Sequence, residues 1–128
     1  MDITEGRAVM DFMQAVKTVL NNYANFNDRS RRSEYWWWAL AYFIAYMAVY
    51  MIGGILGAGE LLAGLLALAL IIPNIAVGVR RFHDIGKSGW WLLIGIIPLL
   101  GLIALIYFFV QPSQGPNQYG EGPLQPVA

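Results

Sequence analysis

The sequence predicts an all-α membrane protein: three transmembrane helices preceded by an amphipathic helix at the membrane interface. Three observations predict it. Of 128 residues, 58% are apolar and 12% charged, with mean hydropathy +0.52. Soluble domains carry about 25% charged residues, and a core of this size cannot hide the surplus of Leu, Ile, Trp and Tyr. Next, the charges leave three long gaps, Tyr35 to Gly59, Leu61 to Val79 and Ser88 to Gly120. Finally, all eight basic residues fall on one side of a three-span arrangement. Residues 1–128 read as a single membrane domain, because three crossings with short loops leave no room for a separate soluble one.

The first element covers residues 8–24. Val9, Phe12, Met13, Val16, Val19, Leu20 and Tyr23 recur at three- and four-residue spacing between Asp11, Gln14, Lys17, Asn21 and Asn22. That is an amphipathic helix, which either lies along the membrane or packs on the protein's own cytosolic surface. It lacks the long apolar run of a signal peptide. Residues 36–55, 61–79 and 90–110 follow as spans, each close to the roughly 30 Å of hydrocarbon at about 1.5 Å per residue. The second span holds six Leu, three Ile and two Val. Its apolar residues favour insertion by roughly 3 to 7 kcal/mol, before Pro73 and Asn74 reduce the figure. Gly57 to Glu60 predicts a tight hairpin between the first two spans. Pro73 and Pro98 predict kinks. Residues 111–128 hold four of the six prolines and read as an irregular tail.

Orientation follows from Arg7, Lys17, Arg29, Arg31, Arg32, Arg80, Arg81 and Lys87, since the first loop and the tail contain no Lys or Arg. The positive-inside bias puts the amino terminus in the cytoplasm, and three crossings then put the tail outside. The absence of cysteine excludes disulfides and thiolate chemistry. A single histidine excludes a nitrogen- and sulfur-ligated zinc site, so no metal and no cofactor is expected. Zero net charge argues against a nucleic-acid partner.

Two segments carry the charges that matter. In Arg29-Ser30-Arg31-Arg32-Ser33-Glu34-Tyr35-Trp36-Trp37-Trp38, Ser33 is placed to cap a helix, Glu34 sits at its positive end, and Trp36 and Trp37 suit the headgroup layer. In Arg80-Arg81-Phe82-His83-Asp84-Ile85-Gly86-Lys87-Ser88-Gly89-Trp90-Trp91, Gly86 suits a helix end, Ser88 a second cap, and Trp90 and Trp91 a second pair of anchors. Folding brings Arg31, Arg32, Glu34, Arg81, His83, Asp84 and Lys87 into one cytoplasmic layer. Two readings stand for it: an ion-pair network that locks the helices, or a site for an anionic headgroup or a partner's acidic group. His83 beside Asp84 also invites proton transfer, although neighbours on a helix point in different directions. Gly86-Lys87-Ser88 is not a phosphate loop, because Arg81 stands where the first glycine is needed. Within the first span Trp38, Tyr42, Tyr46 and Tyr50 recur every four residues and predict a polar stripe facing the bundle toward Asn74 or Tyr107.

Arg31-Arg32-Ser33-Glu34-Tyr35-Trp36, the block Arg81 to Trp91, Ile97-Pro98-Leu99-Leu100-Gly101 and Gly115-Pro116-Asn117-Gln118-Tyr119-Gly120 together resemble the bacterial inner-membrane family called domain of unknown function 805. The resemblance runs from about Tyr23 onward. The family pattern often has Leu where Phe82 stands and Arg where Gln118 stands. It implies a small multi-pass protein of the bacterial plasma membrane without an established activity, and an ordered turn in the tail. The functional expectation is an integral membrane protein that binds anionic lipid or a membrane partner through its cytoplasmic arginines, alone or as a homo-oligomer. The alternatives are an interfacial enzyme using His83 and Asp84 on a lipid headgroup, and an oligomeric solute transporter lined by Tyr42, Tyr46, Tyr50 and Asn74.

Overall fold

The computed structural model describes residues 10–120, and its burial pattern is inverted relative to a soluble protein. Glu34, Arg80, Arg81 and Asp84 are fully buried, whereas Ile55, Leu56, Trp90, Ile96 and Leu100 lie open on the outside. Such a surface is stable only against hydrocarbon.

Helix α1, Phe12–Asn21, starts at a capping box: Asp11 Oδ1 accepts from Gln14 N at 2.8 Å, and Gln14 Oε1 accepts from Asp11 N at 3.0 Å. It buries Ala15 and Val19, the latter in a cluster with Trp38 and Val77, and Phe12 meets the Trp37 ring edge-on at 5.8 Å. Met13, Leu20 and Tyr23 remain exposed, so α1 packs on its own protein while keeping an outward apolar side.

Helix α2, Arg32–Ile55, is 24 residues long, about 36 Å. Its N-cap is Arg31, which makes no side-chain cap; Ser33, expected as the cap, instead accepts the backbone N–H of Met10 at 2.9 Å and ties α1 to α2. Helix α3, Gly59–Ala69, returns along α2. The reversal uses Gly57 at φ +79° and a backbone contact so close that a Cβ on Gly59 would lie 2.4 Å from the Tyr50 carbonyl oxygen. Helix α4, Ile71–Asp84, continues after a 49° bend. Pro73 explains the bend: it has no N–H for the Ala69 carbonyl and its ring crowds that group. The Tyr23 hydroxyl donates to the Ala69 oxygen instead. Among the described residues α2 is the one helix long and apolar enough to cross a bilayer alone, and α3 with α4 passes the same test as one bent span.

The expected third span, 90–110, is not one helix. A 3-10 helix, Gly89–Ile96, is capped by Ser88 Oγ, and α5, Leu100–Phe109, follows a reversal at Ile97 to Leu99. Pro98 forces Ile97 into extended backbone (ψ 116°), and Leu99 takes φ 62°. The two pieces pack so closely that a Cβ on Gly101 would lie 2.2 Å from the Ile94 oxygen. Each piece is about 15 Å long, half a bilayer. The hairpin starts and ends at one level: Phe108 meets both Trp91 and Phe82 at 5.7 Å, and Phe109 meets Tyr35 at 4.4 Å near the start of α2. The tail therefore lies beside the arginine-bearing end of α2, not at the opposite end as three crossings would require. It turns at an Asn117–Gly120 bridge, with Tyr119 N donating to Asn117 Oδ1.

Candidate functional site

Most of the charge is gathered where the start of α2, the end of α4, the end of α5 and the tail meet. Arg80 donates from Nη1 to Glu34 Oε2 at 2.7 Å, and from Nε to the Asn25 carbonyl. One turn on, Asp84 binds two guanidiniums, Arg29 at 3.0 Å on Oδ1 and Arg81 at 2.9 Å on Oδ2, and accepts the Ser113 hydroxyl at 2.6 Å. All five charged side chains are nearly sealed from solvent. Charges removed from water this far hold only when each is matched by an opposite charge and hydrogen bonds.

The arginines also finish helices. The C-terminal carbonyls of α5 carry partial negative charge and lack intrahelical donors. Arg81 Nε and Nη2 donate to the Phe109 oxygen at 3.2 and 2.9 Å, and Nη2 also to the Gln111 oxygen. Arg32 Nη1 donates to the Val110 oxygen at 2.8 Å, and Trp36 Nε1 to that of Phe109 at 2.9 Å. Arg29 holds the tail through the Gly115 and Gly120 oxygens, both at 2.9 Å, and through that of Gln114.

Of the expected layer, the structure brings Arg31, Arg32, Glu34, Arg81, His83 and Asp84 together, while Lys87 turns aside, its Nζ 4.8 Å over Trp91 and 5.3 Å over Phe108. Half-buried Arg31 loses some basicity to desolvation, opposed by Glu34 and Asp84. His83 and Asp84 do not form a proton-transfer pair. His83 Nδ1 lies 3.0 Å from the Asp28 carbonyl and its ring stacks on Tyr119 at 3.9 Å, whereas both Asp84 oxygens are held by Arg29, Arg81 and Ser113. Adjacent helical positions point about 100° apart, which accounts for the separation. Trp37 meets α1, Trp36 and Trp91 pack near α5, and Trp90 is exposed as an anchor would be.

The tyrosine stripe does not line one path. Trp38 Nε1 donates to Asn74 Oδ1 at 2.7 Å and Tyr42 packs on the Val19 cluster with Tyr46 beside it, but Tyr50 and Tyr107 face outward. Sequence reasoning passed over Arg29 and Arg80 as site residues. Their partners lie 46 to 91 positions away, and the one local signal was their adjacency to the chosen blocks. Among the described residues no cluster of His, Asp and Glu is suited to a metal.

A pocket of about 360 Å³ opens beside this layer, lined by Asp28, Arg29, Arg31, Glu34, Arg80 and Tyr119, among others. Arg80 Nη2, fully buried, has no hydrogen-bond partner among the described residues. A family model described as "Protein of unknown function (DUF805)" matches residues 23–121. The chain is 40% identical over 114 residues to inner membrane protein YhaI of Escherichia coli, covering 87% of this chain and 96% of that one. It is 36% identical over 115 residues to inner membrane protein YhaH of the same organism, covering 84% and 95%. No solved structure matches.

Proposed function

Because the chain belongs to the DUF805 family, with relatives that are Escherichia coli inner membrane proteins, we propose that it is a plasma-membrane protein that binds an anionic lipid headgroup in its arginine pocket at the cytoplasmic face. In this reading α2 and the bent α3–α4 pair cross the bilayer, and residues 89–109 enter and leave from the cytoplasmic side. The positive-inside bias puts Arg29, Arg31, Arg32, Arg80 and Arg81 in the cytoplasmic layer, and the tail, held by Arg29, joins them there. That replaces the outside tail expected from three crossings.

The observation that carries the headgroup reading is the arginine-lined pocket itself. Beneath it Arg80 Nη2 is a buried charged donor without an acceptor among the described residues, and an anion in the pocket would stabilise that charge through its field rather than by direct contact. The pocket is lined by Arg29, Arg31 and Arg80 beside Asp28 and Glu34; Arg29 is paired with Asp84 and Arg80 with Glu34, and the planar guanidinium of Arg31 suits a phosphate. Lipid phosphates lie at this depth of the membrane, and juxtamembrane cations attract anionic lipid by about 1 kcal/mol each.

The test is thermal unfolding in nanodiscs of phosphatidylglycerol or phosphatidylcholine. Wild type unfolds at a higher temperature in phosphatidylglycerol than in phosphatidylcholine, and in Arg31→Gln, whatever its own midpoint in phosphatidylcholine, most of that difference between the two lipids is lost. Equal midpoints for wild type in the two lipids would remove the proposal.

A further inference from the structure

A second cavity, about 640 Å³, lies between α4 and the 3-10 helix on the other side of Tyr119 from the arginine pocket. Its walls include Ile75, Val79, Leu93 and Ile96, and its polar lining is Asn27 together with His83, Ser88 and Tyr119 at the rim. Among the described residues no Asp, Glu, Lys or Arg lines it. Along α4 the polar rim at His83 and the aliphatic floor at Ile75 are eight residues apart, about 12 Å.

We infer that this groove holds one acyl chain of a membrane phospholipid, with the glycerol ester at the rim. The inference rests on the bilayer placement proposed above and not on the arginine pocket. Its polarity runs as a lipid's does, polar at the level of the arginine layer and aliphatic toward the middle of the bilayer. At Ile75, Val79, Leu93 and Ile96 the groove is open and its side chains offer water no hydrogen-bond partner, so hydrocarbon suits that end better than water. A hydrocarbon chain needs none. The ester carbonyls need donors, and the Ser88 hydroxyl and Tyr119 phenol stand at the rim. The tail forms the roof: Tyr119 stacks on His83 with the rings 4° from parallel, and Asn117 Nδ2 donates to the His83 carbonyl at 3.1 Å.

The test is native mass spectrometry of the full chain released from vesicles of phosphatidylethanolamine and phosphatidylglycerol into mild detergent, counting retained phospholipid. Ile75→Trp fills the floor from α4 and Ile96→Trp fills it from the opposite wall, so a folding defect in one does not decide the matter. Wild type retains phosphatidylethanolamine, which the arginine pocket does not select, and both tryptophan variants retain at least tenfold less of it while unfolding at the wild-type temperature in detergent. No retention by wild type, or wild-type retention by both variants, overturns the groove. Loss in Arg31→Gln with both tryptophan variants unaffected would also overturn the groove and leave the arginine pocket standing. Loss in the tryptophan variants with Arg31→Gln unaffected supports the groove and counts against the pocket.

Discussion

Asp84→Asn is the most informative single change, because Asp84 is the counter-charge for two guanidiniums that arrive from different parts of the chain. Arg29 comes from the segment before α2 and anchors the tail; Arg81 comes from α4 and caps α5. Asparagine keeps the shape but removes the charge, and its amide nitrogen turns a donor toward Arg29 or toward the Arg81 and Ser113 pair. Asp84 is 0% exposed, so water cannot take over. Breaking a buried ion pair by removing one partner costs about 3–5 kcal/mol, which lowers the folded-to-unfolded ratio by between about 10² and 10⁴. The assay is reversible unfolding in mixed micelles, read by tryptophan fluorescence, for Asp84→Asn, Arg81→Met and the double variant. The double variant should be less destabilised than the sum of the singles, with a coupling of about 1–3 kcal/mol, because the charge orphaned by each single change is partly gone in the pair. A loss below about 1 kcal/mol for Asp84→Asn, or strict additivity, would refute a mutually dependent cluster.

Three further outcomes follow from local geometry. Tyr23→Phe removes the donor that serves the Ala69 carbonyl at the Pro73 bend and should cost about 0.5–1.5 kcal/mol in the same unfolding assay. Gly101→Ala places a methyl 2.2 Å from the Ile94 oxygen and should destabilise by about 1–3 kcal/mol, while Gly64→Ala, which meets nothing within 4 Å, should be neutral or slightly stabilising. Leu99→Gly relieves a backbone with φ 62° at an exposed position and should raise the unfolding midpoint, by about 1 kcal/mol of stability.

What the sequence disclosed, and what it hid, follow from the range of the interactions involved. Helix α2 was legible because an uncharged run behind an arginine- and tryptophan-rich start has one sensible reading. The amphipathic α1 was legible from its spacing, though whether Val19 faced lipid or protein depended on Trp38 and Val77, which lie far off in the chain. Residues 90–110 read as one helix because a single long helix and two short ones joined by a reversal have the same apolar composition. Pro98 and Gly101 distinguish them, and Gly101 does so through a contact with Ile94 that no periodicity announces. The layer and six of its seven expected members are legible in the two charged segments, but Arg29 and Arg80 take central places that the segments do not announce, and Lys87 leaves for Trp91 and Phe108. Tail composition pointed to irregular chain, whereas the family resemblance pointed to the turn now seen at Asn117 to Gly120.

In the proposed placement residues 89–109 turn back rather than cross, and the absence of cysteine allows a clean test. Gln118→Cys introduces a single thiol at an exposed tail position in a chain that otherwise has none. Intact inner-membrane spheroplasts are treated with a membrane-impermeant maleimide before and after lysis. Labelling after lysis alone is expected, with the tail in the cytoplasm; full labelling of intact spheroplasts would contradict the turn-back and restore the third crossing.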